Sequence, residues 1–342
     1  MKAYQLVGHG APGKMELREL PDPIPAAGEA VVRVRACGLN RLDLWAEQGG
    51  LPVPLQLPRT LGCEIAGEIE SIGEGVVNHR IGDRVALQSN LFCGDCEFCM
   101  QGEESVCLNS KLLGIERDGG FAEKVSVLAS SLVSLPEGVS FDAAAAVTLA
   151  GSTAMHMLTQ RSQVKSGDWV LVIGASSGVG SAAIQIAKKL GGYVITTGST
   201  EEKRTLGKSL GADFVVDSTS PDWAVEVRRI TQKRGVDIVI EHVGGEVLQQ
   251  CFGCLARNGR IVTCGATGGR EVSLKLWQVF VKQQSLIGSY GRNRKDIAAT
   301  LEWVREGKMR AVIDKTFPLA EVPQAFALLR ARKVHGKVIV KP

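Results

Sequence analysis

An apolar segment that runs into a glycine-rich turn constrains the fold of this chain more than any other feature of its sequence. Residues 169–173 (WVLVI) have the pattern of a strand buried on both faces, and a helix is predicted over residues 181–190. The turn between them, GASSGVG, contains glycines that permit a tight turn and a close approach of backbone N–H groups to a phosphate. This order predicts a dinucleotide-binding βαβ unit; a glycine-rich turn without a ligand is the alternative.

The pattern on either side of this unit divides the chain into three parts. Residues 1–145 contain short β-branched runs separated by Gly and Pro, which predicts a barrel-like or sandwich domain. Residues 146–289 alternate apolar strands with helices, which predicts a parallel sheet covered on both faces. An Ala-rich helix is predicted across the first boundary, over 142–160. Residues 290–342 return to a mixed pattern and end in a predicted strand that could rejoin the first part.

Length and composition exclude several classes of protein. At roughly 150 residues per domain, 342 residues predict about two domains. With 44% hydrophobic and 22% charged residues, the chain has the composition of a globular protein, and its net charge of +4 is too small to indicate a nucleic-acid or membrane partner. No segment has the ~18 consecutive apolar residues of a membrane span, and the N-terminus has no signal-peptide core, so the expected location is cytoplasmic.

The glycine turn and the ends of the following strands form the predicted cofactor site, since ligands bind at the carboxyl ends of parallel strands. At the turn, the predicted contacts come from consecutive residues: Gly174, Ala175, Ser176, Ser177, Gly178, Val179 and Gly180. After the later strands, four residues are expected to lie beside the cofactor: Val243, Gly265, Ala266 and Tyr290.

The choice of cofactor depends on the tip of the second strand of this unit. NAD sites usually place an acidic residue there to bind the ribose 2′-hydroxyl, but this chain has Gly198, Ser199 and Thr200. Lys203 and Arg204 follow, and a cation with several hydrogen-bond donors suits a 2′-phosphate. The sequence therefore favours NADPH, with NADH as the other possibility; an ordinary solvated helix face is the alternative role for the two cations.

Four of the nine cysteines crowd into one short segment. Cys93, Cys96, Cys99 and Cys107 have the spacing C-x2-C-x2-C-x7-C, which lets a loop wrap one tetrahedral zinc ion. Four thiolates leave no open coordination position, so the predicted role of this zinc is structural. An iron–sulfur cluster and unliganded thiols are the alternatives. A second C-x2-C, formed by residues 251–254, has no partner pair and is interpreted as two small buried residues.

Together, the glycine unit and the four-cysteine lobe resemble the medium-chain dehydrogenase/reductase superfamily, which includes zinc alcohol dehydrogenases and quinone oxidoreductases. Three further motifs match it: LGCEIAGEI at 61–69, GDRV at 82–85 and GGFAE at 119–123. The resemblance implies an α/β plus β fold. It comprises a GroES-like catalytic domain built from both chain ends, with the zinc lobe at 88–110, and an inserted doubly wound Rossmann domain. It also implies an active site in the cleft beside that domain, and a homodimer or homotetramer.

Alcohol dehydrogenases of this family also carry a catalytic zinc, and the resemblance identifies the residues at its three ligand positions. These are Asn40, Cys63 and Leu149, in the segments CGLNRLD, GCE and TLAG. Leucine cannot bind a metal, and an amide is a poor zinc ligand. We therefore expect no catalytic zinc, with residual binding through Cys63 and Glu64 as the alternative. The asparagine resembles the quinone oxidoreductase and enone reductase branch.

The expected reaction is NADPH-dependent reduction of a quinone or an α,β-unsaturated carbonyl compound, because such acceptors are electrophilic without a Lewis acid. The candidate catalytic residues are Asn40, Arg41, Asp43 and Glu64. Asn40 is interpreted as an amide donor to the acceptor oxygen, assisted by Arg41, while Asp43 and Glu64 orient the site. A capping role for Asn40 and a solvated or paired Arg41 are the alternatives. The product proton is expected to come from solvent.

Two other functions stay open from the sequence. The first is an NAD(P)-dependent alcohol dehydrogenase with an altered or vestigial zinc site. The second is a nucleotide-binding protein that has lost catalysis. The apolar stretch 274–281 (LKLWQVFV) is interpreted either as a subunit contact or as internal packing.

Overall fold

The computed structural model of this chain describes residues 1–342 and divides into two compact units. The first unit consists of Met1–Ser152 and Arg292–Pro342, and the second unit is Thr153–Gly291. The sequence pattern had suggested boundaries a few residues earlier, at 145/146 and 289/290. None of the helices combines the length and the apolar character that crossing a lipid bilayer requires.

The strands are numbered in chain order. They are β1 (Lys2–Gly8), β2 (Lys14–Glu19), β3 (Glu29–Gly38), β4 (Arg59–Thr60), β5 (Glu64–Ile72), β6 (Arg84–Leu87), β7 (Asn90–Leu91), β8 (Lys111–Leu112), β9 (Lys124–Leu128), β10 (Leu132–Ser134), β11 (Trp169–Val172), β12 (Tyr193–Gly198), β13 (Phe214–Asp217), β14 (Val236–Glu241), β15 (Leu255–Thr263), β16 (Ser285–Gly288), β17 (Ile313–Pro318) and β18 (Lys337–Lys341).

The helices are numbered in the same way. They are α1 (Arg41–Gln48), α2 (Glu97–Met100), α3 (Phe141–Val147), α4 (Ala150–His156), α5 (Gly178–Lys189), α6 (Glu201–Ser209), α7 (Trp223–Ile230), α8 (Gly245–Cys254), α9 (Leu276–Val281), α10 (Arg294–Arg305) and α11 (Val322–Arg330). Short 3-10 turns occur at Glu104–Val106, Ala129–Ser131 and Leu319–Glu321, and a π turn at Met157–Arg161.

The first unit is built around a seven-stranded sheet. Its strand order is β10-β6-β5-β3-β18-β17, with β9 also paired to β3. The C-terminal strand β18 therefore joins the sheet of the N-terminal segment, as the sequence suggested. A three-stranded sheet, β2-β1-β4, and a two-stranded sheet, β7-β8, complete the unit. Its core includes Phe121 and Phe326, whose rings meet edge to face at 5.8 Å.

The register of this sheet brings three distant segments to one point. Gly38, at the end of β3, lies opposite Glu64 of β5 on one side and Ile339 of β18 on the other. The residues that follow β3, begin β5 and begin β18 are therefore neighbours in space. This juxtaposition positions the polar network of the first unit.

The second unit is a six-stranded parallel sheet with the order β13-β12-β11-β14-β15-β16. This is the doubly wound order, in which the chain reverses direction across the sheet between β11 and β14. Leu171, Ile195, Val239 and Ile261 are fully buried in the unit's core. The structure and the predicted fold class agree: a β-rich unit made from both chain ends, and an inserted parallel-sheet unit.

The helix expected over residues 142–160 is interrupted, and that prediction is wrong. The structure has α3, then α4, then a π turn at Met157–Arg161. The break has a physical cause, because the N–H groups of Leu149 and Ala150 donate to the Glu64 carboxylate at 2.6 and 3.0 Å. The composition of the Ala-rich stretch gives no sign of this distant acceptor.

One surface of the second unit exposes large apolar side chains. On α9, Leu276, Trp277 and Phe280 are 70%, 74% and 58% exposed. The neighbouring strand β16 is the edge of the sheet, and its Leu286 is 42% exposed. Of the stretch 274–281, only Leu274 and Val279 pack against the core of this unit, so most of it faces outward.

Candidate active site and nucleotide-binding loop

The glycine turn connects β11 to α5 in a tightly closed loop. Gly174 has a positive φ of 73°, which glycine adopts without strain. A Cβ on Gly180 would lie 2.1 Å from the Gly174 carbonyl oxygen, so only glycine fits there. The Ser177 hydroxyl accepts a hydrogen bond from the Gly180 N–H at 2.8 Å and thereby caps α5. The loop presents a helix N-terminus at the switch point of the sheet, where anions bind favourably.

A second loop, after β14, lies against the glycine turn. His242 Nε2 is 3.0 Å from the Ser177 hydroxyl and 2.9 Å from the Ile173 carbonyl oxygen. The fully buried Glu241 carboxylate accepts hydrogen bonds from the Val243 and Gly244 N–H groups at 2.5 and 2.7 Å. These contacts fix the backbone of both loops, which preorganises the crevice for a ligand.

The structure brings the predicted cofactor residues to one edge of the sheet. Gly198 ends β12, Val243 follows β14, and Gly265 and Ala266 follow β15. Gly265 packs closely, since a Cβ there would lie 2.5 Å from the His242 carbonyl oxygen. Tyr290 follows the edge strand β16 and is 57% exposed. The cofactor-binding roles of these residues stay predictions.

The two predicted 2′-phosphate cations differ in their surroundings. Arg204 forms ion pairs with Glu201 at 2.9 Å and with Asp217 at 3.0 Å, and it donates to the Gly198 carbonyl oxygen. Lys203 Nζ lies 3.5 Å from the Ser199 hydroxyl. The sequence analysis did not consider Asp217, which ends β13 opposite Gly198 in the parallel register. Its charge is already balanced by Arg204, and its pKa is lowered chiefly by hydrogen bonds from Thr219.

In the first unit, three of the four predicted catalytic residues, Asn40, Asp43 and Glu64, belong to one polar network, and Arg41 does not. The Glu64 carboxylate is fully buried. One oxygen accepts the Leu149 and Ala150 N–H groups, and the other contacts Lys337 Nζ at 2.6 Å and accepts from Asn40 Nδ2 at 3.0 Å. Both oxygens of Glu64 are therefore engaged inside the protein.

Asn40 is the N-cap residue immediately before α1 and connects the network to that helix. Its backbone N–H donates to the Asp43 carboxylate at 2.7 Å. Its side-chain Nδ2 donates to Glu64 and, at 3.1 Å, to the Gly38 carbonyl oxygen, while Oδ1 accepts from Lys337 at 2.6 Å. The geometry therefore uses both amide protons within the protein. It leaves none for an acceptor oxygen, the role expected of Asn40 from the sequence, and favours the capping role instead.

Asp43 and Arg41 both lie on α1. Asp43 is 1% exposed, and burial raises its pKa to about 6, although the N–H groups of Asn40 and Gly62 and the Lys337 cation oppose the shift. Its second oxygen accepts from the Gly62 N–H at 3.1 Å. Arg41 is half-buried, and burial, with a smaller contribution from Arg332, lowers its pKa. Asp43 thus joins the start of α1 to the segment before β5.

The residues at the three family ligand positions do not fit a catalytic zinc well. Asn40 uses its amide as described, and Leu149 contributes only a backbone N–H, which donates to Glu64. Cys63 is 1% exposed, and burial holds the pKa of its thiol well above the usual range. Zinc prefers thiolate, imidazole or free carboxylate ligands, so this donor set is unfavourable.

The four cysteines of the lobe fit a metal ion much better. The sulfur atoms of Cys93, Cys96, Cys99 and Cys107 all lie within 4.8 Å of one another. A tetrahedral site with ~2.3 Å zinc–sulfur bonds has sulfur–sulfur distances of about 3.8 Å. Hydrogen bonds from the backbone of Cys99 and Leu108 lower the pKa of Cys96 to about 6, whereas burial raises the pKa of Cys99 to about 12. The cluster suits a structural zinc site.

Two functional candidates were missed from the sequence. Lys337 was read only as the start of an apolar strand, yet it is 5% exposed and binds Glu64 and Asn40. The signal available in the sequence was a lysine at the first position of an apolar strand. Glu241 was overlooked because a single acid at the end of a strand has many possible roles; its position before a His-Val-Gly-Gly turn was the clue.

Comparison with known protein families matches both units. Residues 26–137 match the family "Alcohol dehydrogenase GroES-like domain", and residues 178–306 match the family "Zinc-binding dehydrogenase". The first match lies within the first unit. The second begins at Gly178, at the end of the glycine turn, and covers α5, the strands β12 to β16 of the parallel sheet and α10.

Individual relatives are similar over nearly their whole length. An acryloyl-coenzyme A reductase of Sulfurisphaera tokodaii is 34% identical over 343 residues and all of both chains. An alcohol dehydrogenase of Geobacillus stearothermophilus is 31% identical over 96% of each chain. The crystal structure of an NAD-dependent alcohol dehydrogenase superposes with a TM-score of 0.96, with 38% identity and all of both chains covered. The chain therefore belongs to the medium-chain dehydrogenase/reductase superfamily, in its branch of zinc-type alcohol dehydrogenases and enoyl reductases, and is an NAD(P)-dependent oxidoreductase.

Proposed function

We propose that this enzyme reduces α,β-unsaturated carbonyl compounds or quinones with NADPH, without a catalytic zinc ion. The observation that carries the proposal is that the residues around Glu64 use their polar groups to bond one another and leave no set of ligands for a catalytic zinc. Asn40 and Leu149 stand at two family ligand positions, and both donate hydrogen bonds to Glu64. The similarity to an acryloyl-coenzyme A reductase adds support, because an acryloyl thioester is an α,β-unsaturated carbonyl compound.

The proposed reaction needs no general acid or base from the protein. NADPH, when bound, supplies a hydride. With an α,β-unsaturated carbonyl compound, the hydride would add to the β carbon, the C=C pair would form the enolate double bond as the carbonyl pair moves to oxygen, and solvent would protonate the α carbon. With a quinone, one hydride and one solvent proton would give the hydroquinone. Positioning and exclusion of water carry most of the catalysis in such a step. We assign cofactor binding to the second unit and acceptor binding to the first.

The proposed preference for NADPH rests on Lys203, Ser199 and Thr200. Thr200 caps α6 by accepting from the Lys203 N–H at 3.4 Å, so both residues stand at the start of that helix. A positive helix end with a lysine and hydroxyl groups suits a 2′-phosphate. Arg204 contributes less to the proposal, because Glu201 and Asp217 already balance its charge.

Lys203→Ala is expected to raise the KM for NADPH about tenfold and to leave the KM for NADH unchanged, because one charge-assisted hydrogen bond is lost. Steady-state kinetics with both cofactors measures this. Lys208→Ala is the matched control: it lies on the same helix, but its ammonium donates to the Asp213 carbonyl oxygen at 2.8 Å. An equal effect on both cofactors, or none, contradicts the assignment of Lys203.

A panel of substrates tests the proposed reaction. Oxidation of NADPH is followed at fixed enzyme concentration with an enone, an α,β-unsaturated thioester and a quinone. Reduction of NADP⁺ and NAD⁺ is followed with primary and secondary alcohols. We expect kcat/KM for the best conjugated acceptor to exceed that for the best alcohol by at least about 1000-fold, or ~4 kcal/mol. Alcohol oxidation at a comparable rate contradicts the proposal.

Alcohol dehydrogenation is the second candidate, and specific similarities favour it. The structure with a TM-score of 0.96 and the relative from Geobacillus stearothermophilus are both named alcohol dehydrogenases. This candidate requires a metal at Cys63 or Glu64, and therefore a rearrangement of the network around Lys337. It also predicts activity with NAD⁺.

We further propose that the enzyme is a homodimer or homotetramer and that a second copy covers α9 and β16 in the second unit. The edge strand β16 is paired on one side only, and antiparallel pairing with its own copy satisfies a two-fold axis. Trp277 and Phe280 beside it would be covered in the same contact.

Light scattering gives the mass in solution. Trp277→Lys is expected to lower it, and a wild-type monomer contradicts the proposal.

A further inference from the structure

We propose that Lys337 is a positioning residue whose ammonium group holds Asn40 and Glu64, and through them the start of α4, in one arrangement. The structural part of this inference stands on the first unit alone. Only its kinetic consequence rests on the proposed function.

The ammonium group of Lys337 is held by three oxygen atoms. Its Nζ contacts Glu64 Oε2 at 2.6 Å, Asn40 Oδ1 at 2.6 Å and the Leu39 carbonyl oxygen at 2.7 Å. A lysine ammonium has three N–H donors, so all three are in use. With 5% of its surface exposed, Lys337 has no proton to offer a substrate. Its influence on the reaction must therefore act through the groups it holds.

Lys337 also determines how the Asn40 amide is oriented. The amide oxygen faces the ammonium, and Nδ2 donates to Glu64 and to the Gly38 carbonyl oxygen. A flipped amide would place its NH2 group against the cation and its oxygen against a carboxylate and a carbonyl. Both contacts are repulsive, so one orientation is fixed. Without the ammonium, nothing in this network would hold the amide oxygen in place.

Glu64 connects the ammonium of Lys337 to one further segment. Its second oxygen accepts the Leu149 and Ala150 N–H groups, which fixes the start of α4. A fully buried carboxylate needs both a counter-ion and hydrogen bonds, and Lys337 is its closest cation at 2.6 Å. Four segments that are far apart in sequence thus meet at one ion pair: the residues after β3, the start of β5, the start of α4 and the start of β18.

A double-mutant cycle on Lys337 and Glu64 tests this arrangement. Lys337→Met and Glu64→Gln each leave one buried ion without its partner, so each is expected to lower the melting temperature by about 8 °C or more. The double variant K337M/E64Q removes both charges and is expected to lose less than either single variant. If the two side chains do not interact, the losses of the two single variants will add in the double variant.

Lys341→Met is the matched control. Lys341 lies on the same strand and pairs with Asp142 at 3.0 Å, but its side chain is 47% exposed. Because exposed ion pairs contribute little, a shift of less than about 2 °C is expected. A shift of K337M as small as that of the control, or additive losses in the double variant, would overturn the inference.

The positioning role is tested by kinetics on the folded double variant. We expect kcat for the conjugated acceptor to fall at least about tenfold, while the Kd for NADPH, whose site we assign to the second unit, stays within about twofold. An unchanged kcat would show that the pair only stabilises the fold, and would overturn the positioning role. If the wild type reduces no acceptor, the proposed function fails, and the melting cycle still decides whether Lys337 holds Glu64.

Discussion

Gly180→Ala is expected to weaken NADPH binding by about 30-fold, or ~2 kcal/mol, because the added methyl group has no space. Its Cβ would lie 2.1 Å from the Gly174 carbonyl oxygen and 2.8 Å from the Ser177 hydroxyl. The loop must therefore open between β11 and α5, and overpacking of this kind typically costs ~1–3 kcal/mol. The opening would also break the hydrogen bond from the Gly180 N–H to Ser177, which caps α5. Fluorescence titration with NADPH measures the loss.

Gly253→Ala provides the control for this variant. Gly253 lies on α8 in the same unit, and a Cβ there meets no atom within 4 Å. This control should bind NADPH like the wild type, with a slightly higher stability, because alanine favours a helix more than glycine does. If G180A misfolds, Ser177→Ala, which removes only the capping hydroxyl, should still weaken binding severalfold. A folded G180A that binds NADPH as tightly as the wild type would refute the assignment of this loop.

Cys99→Ser is expected to remove zinc from the protein and to lower its melting temperature by about 10 °C or more. Of residues 93–112, only Ser105 and Cys107 are buried, so the lobe has little apolar packing, and we expect a bound ion to contribute much of its stability. Loss of the ion should also destabilise the start of α10. The fully buried Asn293, just before that helix, accepts from the Ser105 N–H at 2.9 Å and donates to the Glu103 carboxylate at 3.0 Å.

Cys254→Ala is the control for the lobe. Cys254 belongs to the second C-x2-C pair, which is buried on α8 and has no other cysteine pair to complete a site. Its replacement should leave the zinc content unchanged, even where the smaller side chain costs some stability. A Cys99→Ser protein that keeps its zinc and its melting temperature would contradict the structural role.

The strand, glycine turn and helix that begin the second unit were predictable because their signals are local. The strand at 169–173, the glycine turn and the helix are consecutive in the chain, and only glycine satisfies the contacts at position 180. The same is true of the four cysteines, which a 15-residue segment brings together. In both cases the spacing of a few residues sets the geometry, so the sequence carries it directly.

The network around Glu64 was predictable only in part, because its members come from three distant segments. Glu64 and Asn40 were recognised from their motifs, but Lys337 lies 273 positions after Glu64. Only the pairing of β3 with both β5 and β18 brings them together. The role of Asn40 was mispredicted for the same reason. The sequence did not show that the sheet places two acceptors, the Glu64 carboxylate and the Gly38 carbonyl oxygen, beside its amide. The same reason also explains the broken helix at Leu149.

We propose that this chain reduces a conjugated acceptor while it carries only its structural zinc. Elemental analysis of protein purified without chelators, on a sample that is active with NADPH and an enone, tests this proposal. We predict one zinc ion per wild-type chain and none in Cys99→Ser, because the only donor set that fits zinc well is the four-cysteine cluster. Two zinc ions per wild-type chain, or one remaining in Cys99→Ser, would contradict it and would assign a catalytic metal to Cys63 and Glu64.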